Sequence, residues 1–229
     1  MDYVELCKSF IEQEFPTAEI AVIGGSTARG TRTASSDVDL LIIGDGVFTD
    51  GRSSLAATYS YGGEVFEVFA YSHDAYSEWA RRGIERHRPV IVHMLVEGRE
   101  VRGGAALDVM RDRWRATLAE GPSVSGHDLA VRRYAITDLV DDLRDASDEL
   151  EQSAVAWTLF EKLGELMLLT DRRWIGTGKY LPRRLRELSR ARTEKLTSPL
   201  LRGDFRTFAD RVDEELMMAG GRVRVGFIR

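Results

Sequence analysis

Hydrophobic positions along the chain change their period near the middle, and that change separates two kinds of structure. Over residues 2–15, Val4, Leu6, Cys7, Phe10, Ile11 and Phe15 recur mainly at spacings of three and four, which predicts one helical face that Pro16 ends. Residues 19–23 and 38–43 are short apolar runs closed by Gly24-Gly25 and by Gly44, and both predict buried strands. Residues 57–61 and 64–71 are rich in aromatic and β-branched side chains, and Gly62-Gly63 between them predicts a hairpin. Ser72 is placed to cap a helix over 73–82, and the apolar run 89–96 before Glu97-Gly98 predicts a further strand.

Beyond Gly103-Gly104 the period is helical, over 105–120, 125–148, 149–171, 182–190 and 204–218. The expected fold is therefore mixed α+β. An N-terminal sheet-and-helix domain over 1–103 is followed by a helical bundle over 104–229, with the glycine pair as the boundary.

Composition narrows the class. The 229 residues are 43% hydrophobic, enough for a sizeable core. The single cysteine, Cys7, has no internal disulfide partner and falls in an amphipathic pattern that suits a small buried side chain, so a reducing compartment is expected. Met1-Asp2-Tyr3-Val4-Glu5 lacks the basic start and apolar stretch of a secretory signal, and no apolar run approaches the ~20 residues of a membrane helix. A cytoplasmic location without a membrane partner is the expectation. A formal charge of −5 argues against a broad nucleic-acid footprint. The four histidines show no paired metal spacing and there is one cysteine, so a zinc site is not expected.

Candidate chemistry concentrates in Gly24-Gly25-Ser26-Thr27-Ala28-Arg29-Gly30 and in Ser36-Asp37-Val38-Asp39. Glycines let the backbone approach an anion, and successive N–H groups at a strand-to-helix turn cradle phosphate oxygens, with the Ser26 hydroxyl as a further donor. Asp37 and Asp39 are two apart at the start of a strand and so point the same way. Such a pair is tolerated when solvated or when a divalent cation sits between the carboxylates, and Mg²⁺ favours one or two carboxylates completed by water and substrate phosphates. Glu67 is flanked by Phe66, Val68 and Phe69, and a charge in so apolar a strand calls for a partner. It is the expected third carboxylate of a two-metal clamp, with Glu64 as the fallback and a water-facing edge glutamate as the plainer alternative.

Taken together, Gly25-Ser26, Arg29-Gly30, Asp37-x-Asp39 and a lone acid on a later strand resemble the DNA polymerase β superfamily of nucleotidyltransferases, over about residues 20–71. The resemblance implies a small mixed sheet with helices on one side, two Mg²⁺ ions, ATP or another NTP as co-substrate, and pyrophosphate as leaving group. Size and the helical C-terminal half look most like the aminoglycoside nucleotidyltransferases of the kanamycin type. That implies transfer of AMP or another nucleoside monophosphate to a hydroxyl of a small acceptor, antibiotic resistance as the setting, and a homodimer. The alternative is a regulator resembling nucleotidyltransferase-fold antitoxins, which binds or modifies a protein partner.

In the helical half, Asp138, Asp141, Asp142 and Asp145 cluster on one face of the 125–148 helix, where like charges three and four apart repel. One reading is a solvated face relieved by Arg144 and neighbouring arginines. The other, implied by the kanamycin-type resemblance, is that Asp145, with Asp142 next, acts as general base toward the attacking hydroxyl. The kanamycin-type enzymes carry Glu at that place, and Glu149 replaces a basic residue one turn on. Lys179, in a glycine loop ahead of Arg183, Arg184 and Arg186, is the candidate counter-charge for triphosphate. Arg29 is read either as a phosphate contact or as a structural ion pair.

Overall fold

The computed structural model describes residues 2–224 and 228. The chain forms two compact units, Met1–Glu120 and Gly121–Arg229. The division falls one helix later than the glycine pair at 103–104. The helix that follows the pair puts Leu107 and Trp114 into the same apolar cluster as Ile20, Val22 and Leu41 of the sheet, so it folds with the first unit.

The first unit opens with α1 (Tyr3–Glu14), whose N-terminus is capped by the Asp2 carboxylate accepting from Val4 N at 2.9 Å. Then come β1 (Ile20–Ile23), the single-turn α2 (Gly25–Ala28), β2 (Val38–Ile43), β3 (Ser54–Tyr61) and β4 (Glu64–Tyr71). They are followed by α3 (His73–Glu85), α4 (Val90–Glu97), β5 (Arg99–Arg102) and α5 (Gly104–Glu120). The strands form one sheet in the order β3-β4-β2-β1-β5, with β2 and β4 parallel and every other pair antiparallel. Strand alternation divides its apolar side chains between two faces. Ala21, Ile23, Val38, Leu40, Ile42, Phe66 and Val68 pack with Cys7, Phe10 and Ile11 of α1. Ile20, Val22, Leu41, Ile43 and Tyr71 pack with Tyr76 of α3, Val92 and Leu95 of α4, and α5. Cys7 is fully buried and burial pushes its thiol up to about 12, which makes it an inert packing residue.

Residues 90–97 are a helix, not the expected strand. Their apolar run lacks the alternation that would mark a strand, and Pro89 begins and Gly98 ends the segment. Burial of Val92, Met94 and Leu95 against the sheet, with a His93–Glu97 pair at 2.6 Å one turn apart, outweighs the β preference of Val and Ile. The strand position goes instead to β5, whose sequence Arg-Glu-Val-Arg carries one apolar residue, too few to mark a strand; it borders β1 at the sheet edge.

The second unit holds α6 (Gly126–Asp145), α7 (Glu149–Thr170), α8 (Tyr180–Leu201) and α9 (Phe205–Met218). Ser125, Asp148 and Asp204 cap α6, α7 and α9 through side-chain acceptors. Ile136, Val140, Leu163, Leu166, Leu185, Phe208 and Val212 lie at the centre of one apolar core. The helix expected over 182–190 continues to Leu201 after a break at Ser189 (φ −162°, ψ 109°), whose hydroxyl accepts from Arg192 N and restarts it. Two buried glutamates of the bundle are paired, Arg132–Glu165 at 2.8 Å and Arg192–Glu215 at 2.6 Å. Among the described residues no helix is long and apolar enough to cross a membrane.

Candidate active site

The parallel register of β2 and β4 sets Asp39 directly opposite Glu67. Paired residues in a parallel ladder project to the same face, and this face is the one that Leu41, Phe69 and Tyr71 share farther along the same strands. Asp37 precedes the first residue of β2 and turns its carboxylate to the same place. One oxygen from each of Asp37, Asp39 and Glu67 lies within 4.8 Å of the other two, and all three side chains are half-buried. Glu67 is therefore the acid that the sheet brings to the two aspartates, whereas the fallback acid Glu64 is engaged elsewhere, ion-paired with Arg32 at 2.6 Å.

Electrostatics agree with the geometry. Partial burial, and then the negative charges of Asp37 and Asp39, raise the Glu67 carboxyl above its ordinary range. Three anionic oxygens on a face that is otherwise apolar are costly alone, and a hard divalent cation relieves that cost while leaving coordination sites for water and phosphate oxygens. The donor set fits Mg²⁺.

The glycine turn is built against this cluster. Gly24 N donates to the Asp39 carbonyl at 2.8 Å, fixing the turn to β2. Gly25 has φ +58°, and a Cβ there would stand 1.6 Å from Asp39 Oδ2. Backbone conformation and the carboxylate both demand glycine at that position. Ser26 lies half-buried in α2, and its carbonyl accepts from Thr31 N at 3.0 Å. Arg29 sits exposed at the C-terminal end of the same turn.

One site residue escaped sequence reasoning. Arg32 donates from Nη1 to the Asp37 carbonyl and to Thr27 Oγ1, each at 2.9 Å, and from Nη2 to the Ser36 carbonyl at 2.7 Å and to Glu64 at 2.6 Å. Two of these acceptors are backbone carbonyls, which leave no mark in a sequence. An arginine among Thr and Ser reads as any loop arginine.

Asp142, Asp145 and Lys179 lie in the second unit. Asp142 and Asp145 are exposed on α6 and form no ion pair among the described residues. Their neighbour Asp141 is held by Arg222 at 2.7 Å and by Arg224, while Arg144 turns to Asp210 and Asp213 of α9. Arginines thus relieve Asp141, but they are Arg222 and Arg224, far along the chain, and not the expected Arg144, which pairs with α9. Lys179 is exposed just ahead of α8, its ammonium 5.6 Å from the centre of the Tyr180 ring.

Comparison with known proteins places this site in a class. Residues 4–101 match the family model for the nucleotidyltransferase domain, a span that contains the turn and all three acids. The first unit thus carries a nucleotidyltransferase domain, which supports a nucleotidyltransferase enzyme. Among solved structures it is similar to a nucleotidyltransferase-like protein from Exiguobacterium sibiricum, at TM-score 0.50 and 12% identity, over 94% of this chain and 75% of that one. At that identity the likeness is one of fold. No curated protein matches the sequence.

Proposed function

We propose that the protein transfers a nucleoside monophosphate, AMP in the simplest case, from an NTP to a hydroxyl of a small, aminoglycoside-like acceptor and releases pyrophosphate. The observation that carries this reading is the convergence of Asp37, Asp39 and Glu67 beside the Gly25 turn. When bound on these carboxylates, Mg²⁺, two ions in this reading, supplies charge neutralisation at the α-phosphate and the leaving pyrophosphate.

The protein's own groups do the rest. The turn at Gly25 and Ser26, with Arg29, orients the triphosphate, and Lys179 offsets its charge. The acceptor oxygen bonds to the α-phosphorus as the bond from that phosphorus to the bridging oxygen breaks, and pyrophosphate departs with that oxygen. Asp145, or Asp142 one turn earlier, takes the hydroxyl proton; both are exposed on α6 and unpaired among the described residues. Catalysis rests on positioning and charge stabilisation. The acceptor class and an expected homodimer come from the kanamycin-type resemblance.

The test is incubation of the purified protein with α-labelled ATP, Mg²⁺ and separate panels of aminoglycosides, proteins and tRNA, with Asp39→Asn as the control. Label on an aminoglycoside, abolished in the variant, supports the reading. Label on a protein or tRNA replaces the acceptor class, and no transfer to any acceptor favours a regulator that binds a partner.

A further inference from the structure

The three carboxylates are not held equally well. Asp39 and Glu67 sit opposite each other inside a hydrogen-bonded ladder, whereas Asp37 lies one residue ahead of β2, where no strand partner holds its backbone. What occupies that place is the guanidinium of Arg32. It takes the carbonyls of Ser36 and Asp37 and the Thr27 hydroxyl, and Thr27 Oγ1 itself donates to the Asp37 carbonyl at 3.3 Å. Its remaining hydrogen bond goes to Glu64, three residues ahead of Glu67 on β4. Tyr3, the first residue of α1, completes the fixture. Its ring lies under the guanidinium at 4.5 Å and its hydroxyl donates to the other Glu64 oxygen at 3.1 Å.

One planar cation thus ties together the glycine turn, the segment ahead of the first acid and the strand that carries the third. The side chains of Arg32 and Glu64 are only 17% and 20% exposed, so the pair is fixed in place rather than a loose surface contact. The Arg32 guanidinium touches none of the three metal-binding carboxylates among the contacts described, and no other role in the proposed chemistry falls to it.

We infer that Arg32 is a positioning residue that sets the Asp37 carboxylate for metal binding, with Glu64 and Tyr3 as its anchors. This rests on the reading of Asp37, Asp39 and Glu67 as metal ligands. A lysine at this position keeps the charge but presents one compact ammonium, which cannot span four acceptors on three segments. Loss of a group that orients a ligand typically weakens metal binding about 10-fold or more.

The experiment titrates Mn²⁺ alone into the full-length protein, read by electron paramagnetic resonance, for wild type, Arg32→Lys, Asp37→Asn, Asp39→Asn and the double variant Arg32→Lys/Asp37→Asn. Melting in EDTA is recorded in parallel. Arg32→Lys is expected to weaken Mn²⁺ about 10-fold with the fold retained. In the Asp37→Asn background the same change should cost little more, because Arg32 acts through Asp37. Wild-type affinity in Arg32→Lys, or a penalty that adds in full on top of Asp37→Asn, overturns the role. If Arg32→Lys does not fold, Glu64→Gln, which leaves the guanidinium with a neutral anchor, must show the same non-additivity with Asp37→Asn or the role is refuted. Unchanged affinity in Asp39→Asn refutes the metal centre itself and the role of Arg32 with it, whereas an Asp39-sensitive site indifferent to Arg32 refutes the role alone.

Discussion

Replacing Glu67 with glutamine should make the metal-free protein more stable while removing its response to metal. The Glu67 carboxylate faces those of Asp37 and Asp39 with oxygens within 4.8 Å. Two unit charges at that distance repel by about 0.9 kcal/mol in water and by about 3.5 kcal/mol at an effective dielectric constant of ~20. Glu67 is half-buried and open to solvent screening, so the lower figure governs, and removing two such repulsions relieves on the order of 1–2 kcal/mol. The raised carboxyl fixes the pH dependence. A protonated Glu67 stabilises the fold fully below the unfolded-state pKa, and that contribution is lost as pH rises through the folded value. The advantage of the variant should therefore be absent in acid and complete near neutrality. Melting in EDTA by circular dichroism at about pH 8 should place the transition of the first unit roughly 3–6 °C higher in the variant. Mg²⁺ should raise the wild-type transition and leave that of the variant unmoved. A variant that melts below wild type in EDTA, or an equal Mg²⁺ response in both, would refute the reasoning.

Other perturbations separate positioning from bulk stability. Gly25→Ala should displace the Asp39 carboxylate, because the new Cβ would stand 1.6 Å from Oδ2 at a positive φ, and transfer should fall by at least ~10²-fold while the circular dichroism spectrum is kept. Asp145→Asn should lower kcat by about 10²-fold or more with little change in KM for the NTP, and an unchanged kcat would move the base to Asp142. Phe10→Ala removes the ring stacked on Phe66 at 4.5 Å in the α1 core and should destabilise the first unit by about 3–5 kcal/mol in urea titration.

The acids of the site were legible in the sequence because the reasons for their placement are local. A spacing of two and a glycine turn put Asp37 and Asp39 together, and Glu67 stood out as a charge among Phe66, Val68 and Phe69. Its pairing with Asp39 depended on which strand lies beside β2. Sequence left that neighbour open, and the parallel register of β2 and β4 supplies it. What sequence could not supply were features decided by distant packing. The run 90–97 is apolar enough for either state, and its contacts with the sheet make it α4. β5 has a single apolar residue, Val101, and is a strand because β1 offers a free edge. α5 joins the first unit through Leu107 and Trp114, which a glycine pair cannot foretell. Arg32 works through backbone carbonyls, and Asp141 finds Arg222 across 81 positions of chain.

The most direct test of the central claim is anomalous diffraction from crystals soaked with Mn²⁺ and a non-hydrolysable ATP analogue. The account predicts an Mn²⁺ peak about 2.0–2.2 Å from a carboxylate oxygen of Asp37, Asp39 and Glu67, with the triphosphate completing the coordination beside Gly25. Ordered triphosphate with no Mn²⁺ on these three carboxylates would contradict it.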